Sequence, residues 1–410
     1  METLVIINLV LIFIALYLFS FFVILNIKNR KDMLSYPLAK NIYSVSILIP
    51  AYNEENSIKD TIEHVMNLDY PKDKFEVIVL NDGSTDRTKE IVLQCKQKYP
   101  SLKILNKPNS GKADSLNMGI KLSKGELIAV VDSDSFPSKE SLARLTGYFD
   151  NPEMGAVTSF VKVRNEEVNY LTKIQSIEYI IMAWTRKLLD FVNGVFVTNG
   201  PLSLYKREYL IKVGGFDKNT VTEDIDITWN LLNSGYKTAM CLSANVTTVV
   251  PDKLKDYYHQ RVRWGLGGIQ AIAKYKKSFF RNGMFGAFII PFVSFSIIMS
   301  LFVLFYSFYI SFKTFLQNFV VAKYSISSGV SIFNYDSINF YPSVLLFYLA
   351  FLFISSLIYY SYLISKLNYT KKIEIKTFFN LLFYLLIYLS LYLFVWVPAV
   401  YRYIRKNNRW

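Results

Sequence analysis

The sequence contains very few cysteine and histidine residues. Cys95 and Cys241 are its two cysteines, and His64 and His259 are its two histidines. These four residues are widely separated and do not follow the spacing of a zinc ligand set. We therefore assign no metal site and no chemistry to either pair of residues.

Charged residues are absent from four long apolar segments. Each segment is long enough to cross the roughly 30 Å hydrocarbon core of a membrane. A helix of this length in a soluble protein would normally carry a polar, charged face. The segments are Thr3 to Asn26, Phe285 to Phe312, Ser343 to Ser365 and Thr377 to Tyr401. We therefore predict a multi-pass protein of the cell membrane.

The first apolar segment is predicted to be a retained anchor, because no basic residue precedes it and no clear cleavage site follows it. Lys28, Arg30 and Lys31 come next, which places the following segment in the cytoplasm by the positive-inside tendency. Basic residues also flank the last apolar segment, from Lys366 to Lys376 and from Arg402 to Arg409. The two flanks cannot both be cytoplasmic if that segment crosses the membrane once. The sequence therefore leaves open on which side of the membrane the final residues lie.

Composition divides the chain into four predicted parts. These are a transmembrane anchor at 1–30, a cytoplasmic α/β domain at 40–255, helices lying in the membrane surface at 256–283, and about three transmembrane helices at 284–410. The polar segment from Lys313 to Tyr341 is predicted to be an extracytoplasmic loop. The net charge of +14 is explained by basic residues at membrane borders. We therefore expect the lipid bilayer as a partner and no nucleic acid.

Short apolar strands alternate with helical patterns in the first half of the polar domain, as in parallel α/β units. Polar motifs directly follow three of the strands, and the carboxyl ends of strands in an open α/β sheet form its ligand-binding edge. One acidic turn would most often be a helix cap, but three at one edge indicate a ligand site. The predicted strands are Val45 to Ile49, Phe75 to Leu80, Leu102 to Leu105 and Leu127 to Val131, with a helix from Thr88 to Lys98.

Two further segments combine apolar residues at helical spacing with basic and aromatic residues. They run from Val168 to Val192, which includes Trp184, and from Asp256 to Lys277, which includes Trp264. Both are predicted to be helices in the membrane surface, although an ordinary core helix fits the first nearly as well.

The ordered set of motifs resembles the processive, membrane-embedded branch of the family 2 glycosyltransferases. That branch includes cellulose, hyaluronan, chitin and poly-N-acetylglucosamine synthases, and the chain length and layout are most similar to the poly-β-1,6-N-acetylglucosamine synthases. The resemblance implies a GT-A type (Rossmann-like) α/β domain that binds a nucleotide-sugar and is inserted between transmembrane helices. The matching motifs are Tyr52-Asn53-Glu54, Asn81-Asp82-Gly83-Ser84, Gly111-Lys112-Ala113-Asp114, Asp132-Ser133-Asp134, Thr222-Glu223-Asp224 and Gln260-Arg261-Val262-Arg263-Trp264.

The resemblance also implies roles for residues at the donor end. Mg²⁺ or Mn²⁺ would neutralise the diphosphate leaving group, with Asp134 as a ligand and Asp132 as a second ligand or a ribose contact. Arg263 would pair with the diphosphate through its planar guanidinium. The residues assigned to nucleotide-sugar binding are Tyr52, Glu54, Asp82, Lys112, Asp114, Asp132 and Arg263.

At the acceptor end, Asp224 would be the catalytic base of an inverting transfer. Trp264 would stack on the terminal sugar, and Gln260, Glu223 and Gly200 would also contact the acceptor. If the segment were extended, Glu223 and Asp224 would point in opposite directions. Alternatively, the acidic residues here could simply cap the following helix.

Three functions are consistent with these residues. The first is polymerisation of a sugar from a UDP-sugar, with UDP-N-acetylglucosamine preferred, onto a growing β-linked polysaccharide that is moved across the membrane. A small accessory membrane subunit is a possible partner. The second is transfer of one sugar to a polyprenyl-phosphate or membrane lipid. The third is a transporter or scaffold with a decayed transferase domain, which the retained acidic set disfavours.

Overall fold

A mixed eight-stranded sheet forms the centre of the polar domain. The computed structural model describes residues 2–329, 344–367 and 375–406. The strand order is β3-β2-β1-β4-β7-β6-β8-β5. The strands are β1 (Val45–Ala51), β2 (Phe75–Asp82), β3 (Lys103–Lys107), β4 (Leu127–Val130), β5 (Ser135–Pro137), β6 (Met154–Val163), β7 (Ser203–Lys206) and β8 (Lys237–Thr248).

The four strands predicted from the sequence are present and parallel to one another. Val45 pairs with Phe75 on one side of β1 and with Leu127 on the other, so β1, β2 and β4 run in the same direction. Their carboxyl ends therefore lie at one edge of the sheet, as predicted. The second half of the sheet is mixed, because β7 is antiparallel to both β4 and β6.

Helices cover both faces of the sheet. Ile58, Ile62 and Val65 of α2 are buried against one face, and Leu116 and Ile120 of α4 are buried against the other. The helices of the domain are α2 (Ile58–Met66), α3 (Thr88–Lys98), α4 (Lys112–Leu122), α5 (Ser141–Thr146), α6 (Tyr170–Asp190), α7 (Arg207–Lys212), α8 (Glu223–Asn233) and α9 (Leu254–Tyr275). Short 3₁₀ turns lie at Lys72–Lys74, Gly147–Asp150 and Lys276–Ser278.

Four apolar helical segments are long enough to cross a membrane, which confirms the four predicted segments at the level of length and composition. The helices are α1 (Glu2–Lys28), α10 (Ile290–Ser327, preceded by a π-helical turn at Phe285–Ile289), α11 (Val344–Leu367), and α12 (Ile375–Phe383) continued through a π-helical turn (Tyr384–Tyr388) into α13 (Leu389–Ile404).

The predicted loop from Lys313 to Tyr341 is wrong in its first half. Helix α10 continues to Ser327 instead of ending at the first lysine. The segment after Lys313 contains Phe315, Phe319 and Val320 and no glycine or proline before Gly329, so nothing in it breaks the helix. Residues 330–343 lie outside the described part of the chain.

Helices α12 and α13 lie beside the polar domain along most of their length. Near the start Phe383 packs on Tyr170, and further along Val395 and Ala399 cluster with Val262 of α9. At the far end Tyr403, Ile404 and Lys406 share a cavity wall with Asp217, Asp226 and Lys274 of the domain. This last apolar segment therefore packs on the polar domain at Phe383, Val395 and Ala399, and its far end lies beside the same domain.

Candidate active site

A cavity of about 270 Å³ lies at the carboxyl edge of the sheet, closed by helices α6, α8 and α9. Its wall brings together residues that are far apart in the sequence, on both the predicted donor and acceptor sides. Nine predicted site residues line it: Lys112, Asp132, Asp134, Gly200, Glu223, Asp224, Gln260, Arg263 and Trp264.

Lys112 connects the two sides of this cavity. It is the first residue of α4, directly after Gly111, whose φ of +92° is in the region that favours glycine. The Lys112 Nζ atom lies 2.6 Å from Asp132 Oδ1 and 2.7 Å from Glu223 Oε1. Burial alone would lower the pKa of Lys112, but the attraction of both carboxylates outweighs it and holds the pKa above its usual value. Lys112 is therefore a charged link between the motif after β4 and the start of α8.

Asp132 and Asp134 follow β4 and face the cavity. The Asp134 carboxylate accepts hydrogen bonds from Ser135 and Thr248 hydroxyls at 3.1 and 3.3 Å. Burial, followed by repulsion from Asp132 and Glu54, raises the pKa of Asp134 to about 6. Burial also raises the pKa of Glu54, with Asp132 contributing in the same direction. Three carboxylates thus produce a negative field at this end of the cavity, which Lys112 offsets only in part.

The carboxylates of Asp132 and Asp134 fit a divalent cation. Mg²⁺ is usually held by one or two protein carboxylates, with phosphate and water oxygens as the remaining ligands. Among residues 2–329, 344–367 and 375–406, no three His, Cys, Asp or Glu side chains form a preassembled metal cluster. Asp132 and Asp134 therefore supply the number of protein carboxylates that Mg²⁺ takes where a phosphate-bearing ligand provides other oxygens.

Glu223 and Asp224 occupy the first turn of α8, so this segment is helical rather than extended. Both side chains line the cavity, whereas Asp226 turns away and bonds Lys274 Nζ at 2.7 Å. Burial and the neighbouring Glu223 charge raise the pKa of Asp224 to about 6, while Lys112 opposes the shift. Asp224 Oδ1 also accepts a hydrogen bond from the Ile225 N–H group at 2.8 Å, so Asp224 stabilises the first turn of α8 while it lines the cavity.

Helix α9 supplies Gln260, Arg263 and Trp264 to the cavity wall. The spacing of three and four residues places these side chains on one face of the helix. Burial acts to raise the pKa values of Glu223 and Asp224, and the positive charges of Lys112 and Arg263 oppose this effect at both carboxylates. The wall thus has a cation and an aromatic ring opposite the acidic residues.

Four predicted donor-site residues lie outside the cavity wall. Glu54 nevertheless acts electrostatically on Asp134, and the Asp82 carboxylate accepts hydrogen bonds at 2.9 Å from the backbone N–H groups of Ser110 and Gly111. Asp82 also pairs with Lys107. Asp82 thus holds the loop that leads into Lys112, in addition to any contact with a ligand.

Asp114 and Tyr52 differ in their surroundings. Asp114 pairs with Lys218 and Ser110, and these partners lower its pKa to about 2. Its charge is therefore already balanced by the protein. Tyr52 is 48% exposed at the end of β1, which leaves its ring free to pack on a planar ligand group.

Position 200 requires glycine because its backbone lies close to the Asp132 carboxylate. A Cβ atom at Gly200 would lie 2.3 Å from Asp132 Oδ2, and Gly200 O accepts a hydrogen bond from Asp132 N. The Thr198-Asn199-Gly200 loop can therefore approach the Asp132 carboxylate this closely only without a side chain at position 200.

Arg186 and Tyr179 are cavity residues that the sequence interpretation missed. Arg186 donates to Asn199 Oδ1 at 2.5 Å, and its pKa is lowered to about 10 by burial, partly opposed by Asp224. Burial raises the pKa of Tyr179 to about 12. The available signal was the helical spacing of Tyr179, Met182 and Arg186, which places them on one face of α6.

Part of the polar domain is similar to a known glycosyltransferase family. Residues 46–214 match the model of the family described as "Glycosyl transferase family 2". The match covers the motifs of the donor side and ends before Glu223, so α8 and α9 lie beyond it.

Two curated relatives extend the similarity past this domain. The "Probable glycosyltransferase YdaM" of Bacillus subtilis is 35% identical over 248 residues, which is 59% of each chain. The "Poly-beta-1,6-N-acetyl-D-glucosamine synthase" of Staphylococcus aureus strain MSSA476 is 31% identical over 232 residues, or 56% of each chain. The match therefore spans less than two thirds of the length of these relatives.

A solved structure confirms the fold class. The chain aligns with a mannosyltransferase of Pyrobaculum calidifontis, solved with GDP-Man and Mn²⁺, at a TM-score of 0.56. The alignment covers 97% of this chain and 99% of that one at 17% identity. The predicted GT-A type α/β domain with apolar helices is thus confirmed.

Proposed function

We propose that the protein is a membrane-embedded inverting glycosyltransferase that extends a β-linked polysaccharide from a UDP-sugar and moves it across the membrane. The observation that supports this most is the shared cavity of Asp132, Asp134, Asp224 and Trp264. It provides a diphosphate end, a base and an aromatic sugar platform within one space. The named activity of the poly-N-acetylglucosamine synthases that match over 56–57% of this chain favours UDP-N-acetylglucosamine as the donor.

Asp224 acts as the base in this proposal. An acceptor hydroxyl attacks the anomeric carbon from the face opposite the diphosphate, the bond from that carbon to the diphosphate oxygen breaks, and Asp224 takes the hydroxyl proton. A pKa of about 6 suits this role, because the group is ionised near neutral pH yet basic enough to accept a proton. Inversion in one displacement requires no covalent intermediate.

The donor diphosphate lies at the Asp132 end in this proposal. Asp134 and Asp132 would hold Mg²⁺ or Mn²⁺, whose charge stabilises the leaving diphosphate when the ion is bound. Arg263 and Lys112 add fixed positive charge to the same region of the cavity. Lys112 also keeps Glu223 and Asp132 in place before the donor arrives.

The nucleoside occupies the sheet edge outside the cavity. Asp82 contacts the uracil and ribose region, Tyr52 packs on the base, and Glu54 and Asp114 complete the surroundings. The exposure of Tyr52 and the position of Asp82 beside the loop before Lys112 support this placement.

The acceptor occupies the α9 end. Trp264 stacks on its terminal sugar, Gln260 and Glu223 contact its hydroxyls, and Gly200 lets the adjacent loop approach. In this arrangement 1–30 and 284–410 are membrane regions, 40–255 is the cytoplasmic transferase domain and 256–283 lies at the membrane surface. An accessory membrane subunit would contact the membrane regions.

A second acceptor class is favoured by one observation. An apolar cavity of about 390 Å³ lies between α1, α6 and α11, on the opposite side of α6 from the catalytic cavity. It is lined by Phe19, Phe22, Leu188, Leu352 and Tyr359 among others, and is suited to a hydrocarbon chain. Transfer of one sugar to a polyprenyl-phosphate or membrane lipid is therefore the alternative.

Product analysis separates the two functions. Purified protein in lipid nanodiscs is incubated with Mn²⁺ and a panel of labelled UDP-sugars, and UDP release is measured first. Polymerisation predicts a ladder on a gel from UDP-N-acetylglucosamine, whereas lipid transfer predicts a single extractable product. A protein that releases no UDP with any sugar would contradict both.

A further inference from the structure

Arg261 is a buried cation behind the cavity wall. Its side chain is 0% exposed, while its sequence neighbours Gln260 and Arg263 line the catalytic cavity. Arg261 itself is not part of that wall and has no role in the proposed transfer chemistry. Burying a guanidinium is costly unless it is paired, so its partners indicate what it stabilises.

The contacts of Arg261 connect it to two cavity residues of its own helix. Its Nη1 atom donates to Gln260 Oε1 at 2.6 Å. Its guanidinium carbon lies 4.1 Å from the centre of the Trp264 ring and 4.6 Å from that of Tyr257. A flat guanidinium stacked on the indole limits the orientations that the ring can adopt.

Arg261 is in turn held by two other parts of the chain. Its Nη2 atom donates to Glu178 Oε2 of α6 at 2.5 Å. The Tyr388 hydroxyl, in the turn between α12 and α13, donates to the same Glu178 oxygen at 2.6 Å. Three segments therefore meet at one carboxylate oxygen, and the last apolar segment is physically connected to the wall of the cavity.

We propose that Arg261 is a positioning residue for the acceptor, and that Glu178 and Tyr388 fix it so that Trp264 and Gln260 face the sugar. This inference rests on the proposed function, because it assigns an acceptor to the α9 end. Asp132 and Lys112 of the donor end are held by contacts outside this network, because Lys112 pairs with Asp132 and Asp82 accepts a hydrogen bond from Gly111 N.

Two conservative variants test the inference. Tyr388→Phe removes one hydroxyl, and Arg261→Lys keeps the charge but removes the planar group. Each is expected to raise the acceptor KM, or to shorten the product ladder, by about tenfold or more, since small displacements of an aligned group are costly. Hydrolysis of the UDP-sugar without acceptor should stay within about twofold of wild type. Tyr384→Phe, one turn earlier on the same segment, is the matched control.

A third variant distinguishes a general loss of folding from a specific loss of acceptor positioning by Arg261. Arg261→Met with Glu178→Leu removes both buried charges together, which is expected to preserve folding better than either single change. Its acceptor KM should remain raised. Equal losses of donor hydrolysis and acceptor transfer in all variants would overturn the positioning role, as would unchanged acceptor kinetics.

A readout without turnover keeps this test separate from the proposed function. The protein has five tryptophans, so 5-fluorotryptophan labelling gives a short ¹⁹F spectrum in which Trp264→Phe identifies one signal. Tyr388→Phe and Arg261→Lys should shift or broaden that signal, and Tyr384→Phe should not. An unchanged Trp264 signal contradicts the inference even if no sugar substrate is found.

Discussion

Lys112 and Glu223 form an ion pair of 2.7 Å across the cavity at the carboxyl edge of the sheet, between the start of α4 and the start of α8. Lys112 makes a second contact of 2.6 Å with Asp132. The two carboxylates belong to opposite ends of the proposed reaction, one near the diphosphate and one near the acceptor. Their spacing is therefore set by one shared cation before any ligand binds.

Replacement of Lys112 by methionine is expected to raise the KM for the UDP-sugar by about tenfold to a hundredfold. One hydrogen bond to a charged group contributes about 1.5–3 kcal/mol, or roughly ten- to a hundredfold in affinity, and the variant removes the one that Lys112 would donate to the diphosphate. Steady-state UDP release measures the effect. Lys103→Met, which breaks the exposed pair with Glu76 on β2, is the control and should leave the KM unchanged.

Asp224→Asn is expected to lower kcat by about 10²–10⁴-fold, which is the usual contribution of a general base. Binding of UDP, measured by calorimetry, should be retained. Asp226→Asn is a stringent control, because Asp226 is on the same helix but bonds Lys274 instead of lining the cavity. A comparable loss of kcat in both variants would show that helix stability, and not base catalysis, is responsible.

The pH dependence of kcat follows from the raised pKa of Asp224. The carboxylate must be ionised to accept a proton, so the rate should fall about tenfold per unit as the pH drops below about 6. The effect on stability has the opposite sign: this group binds protons more tightly when folded, so its contribution to folding is lost as pH rises through 6. The residual kcat of Asp224→Asn should no longer fall as the pH drops below about 6. If it still falls, a group other than Asp224 causes the pH dependence.

Gly200→Ala is expected to abolish most activity while changing the unfolding temperature little. The added Cβ would lie 2.3 Å from Asp132 Oδ2 and displace the carboxylate from the cation-binding end. Gly268→Ala on α9 is the matched control, because no atom lies within 4 Å of its added Cβ. The Mn²⁺ concentration needed for half-maximal UDP release should rise in the first variant and stay constant in the second.

Cysteine labelling tests the placement of the last apolar segment. Lys366 lies within 3.5 Å of the Arg30 carbonyl, and Lys406 shares a cavity with Asp217, so both sit on the side of the transferase domain. Lys366→Cys and Lys406→Cys should be protected from an impermeant thiol reagent added outside intact cells. Lys323→Cys, near the far end of α10, should react. Labelling of position 406 from outside would mean that the segment crosses the membrane.

Local sequence patterns were sufficient to predict the strands and helices that carry the donor motifs. Helix α3 has the predicted bounds, and β1, β2 and β4 were found within two residues because buried strands leave continuous apolar runs. The convergence of Asp132 and Asp134 at one edge followed from parallel strand direction. The orientation of the Glu223 and Asp224 side chains could not be predicted, because the end of a loop and the first turn of a helix have similar sequences.

Partners from distant segments were not predictable. Arg186 and Arg261 are arginines in amphipathic helices, a pattern that equally suits a solvated face or a membrane surface. Their burial depends on Asn199, Glu178 and Tyr388, which no local period connects to them. The same limit applies to the last apolar segment. Its composition permits a membrane crossing, and its packing beside the domain becomes visible only in its contacts with α6 and α9.

The shared oxygen of Glu178 has a consequence for the order in which the enzyme matures. Residues 375–404 leave the ribosome after α6 and α9, so the Tyr388 hydroxyl is the last of the three partners to arrive. A nascent chain can already fold its nucleotide half and still lack a fixed indole platform. Ribosome-bound or prematurely terminated chains should then waste donor by hydrolysis instead of starting a glycan.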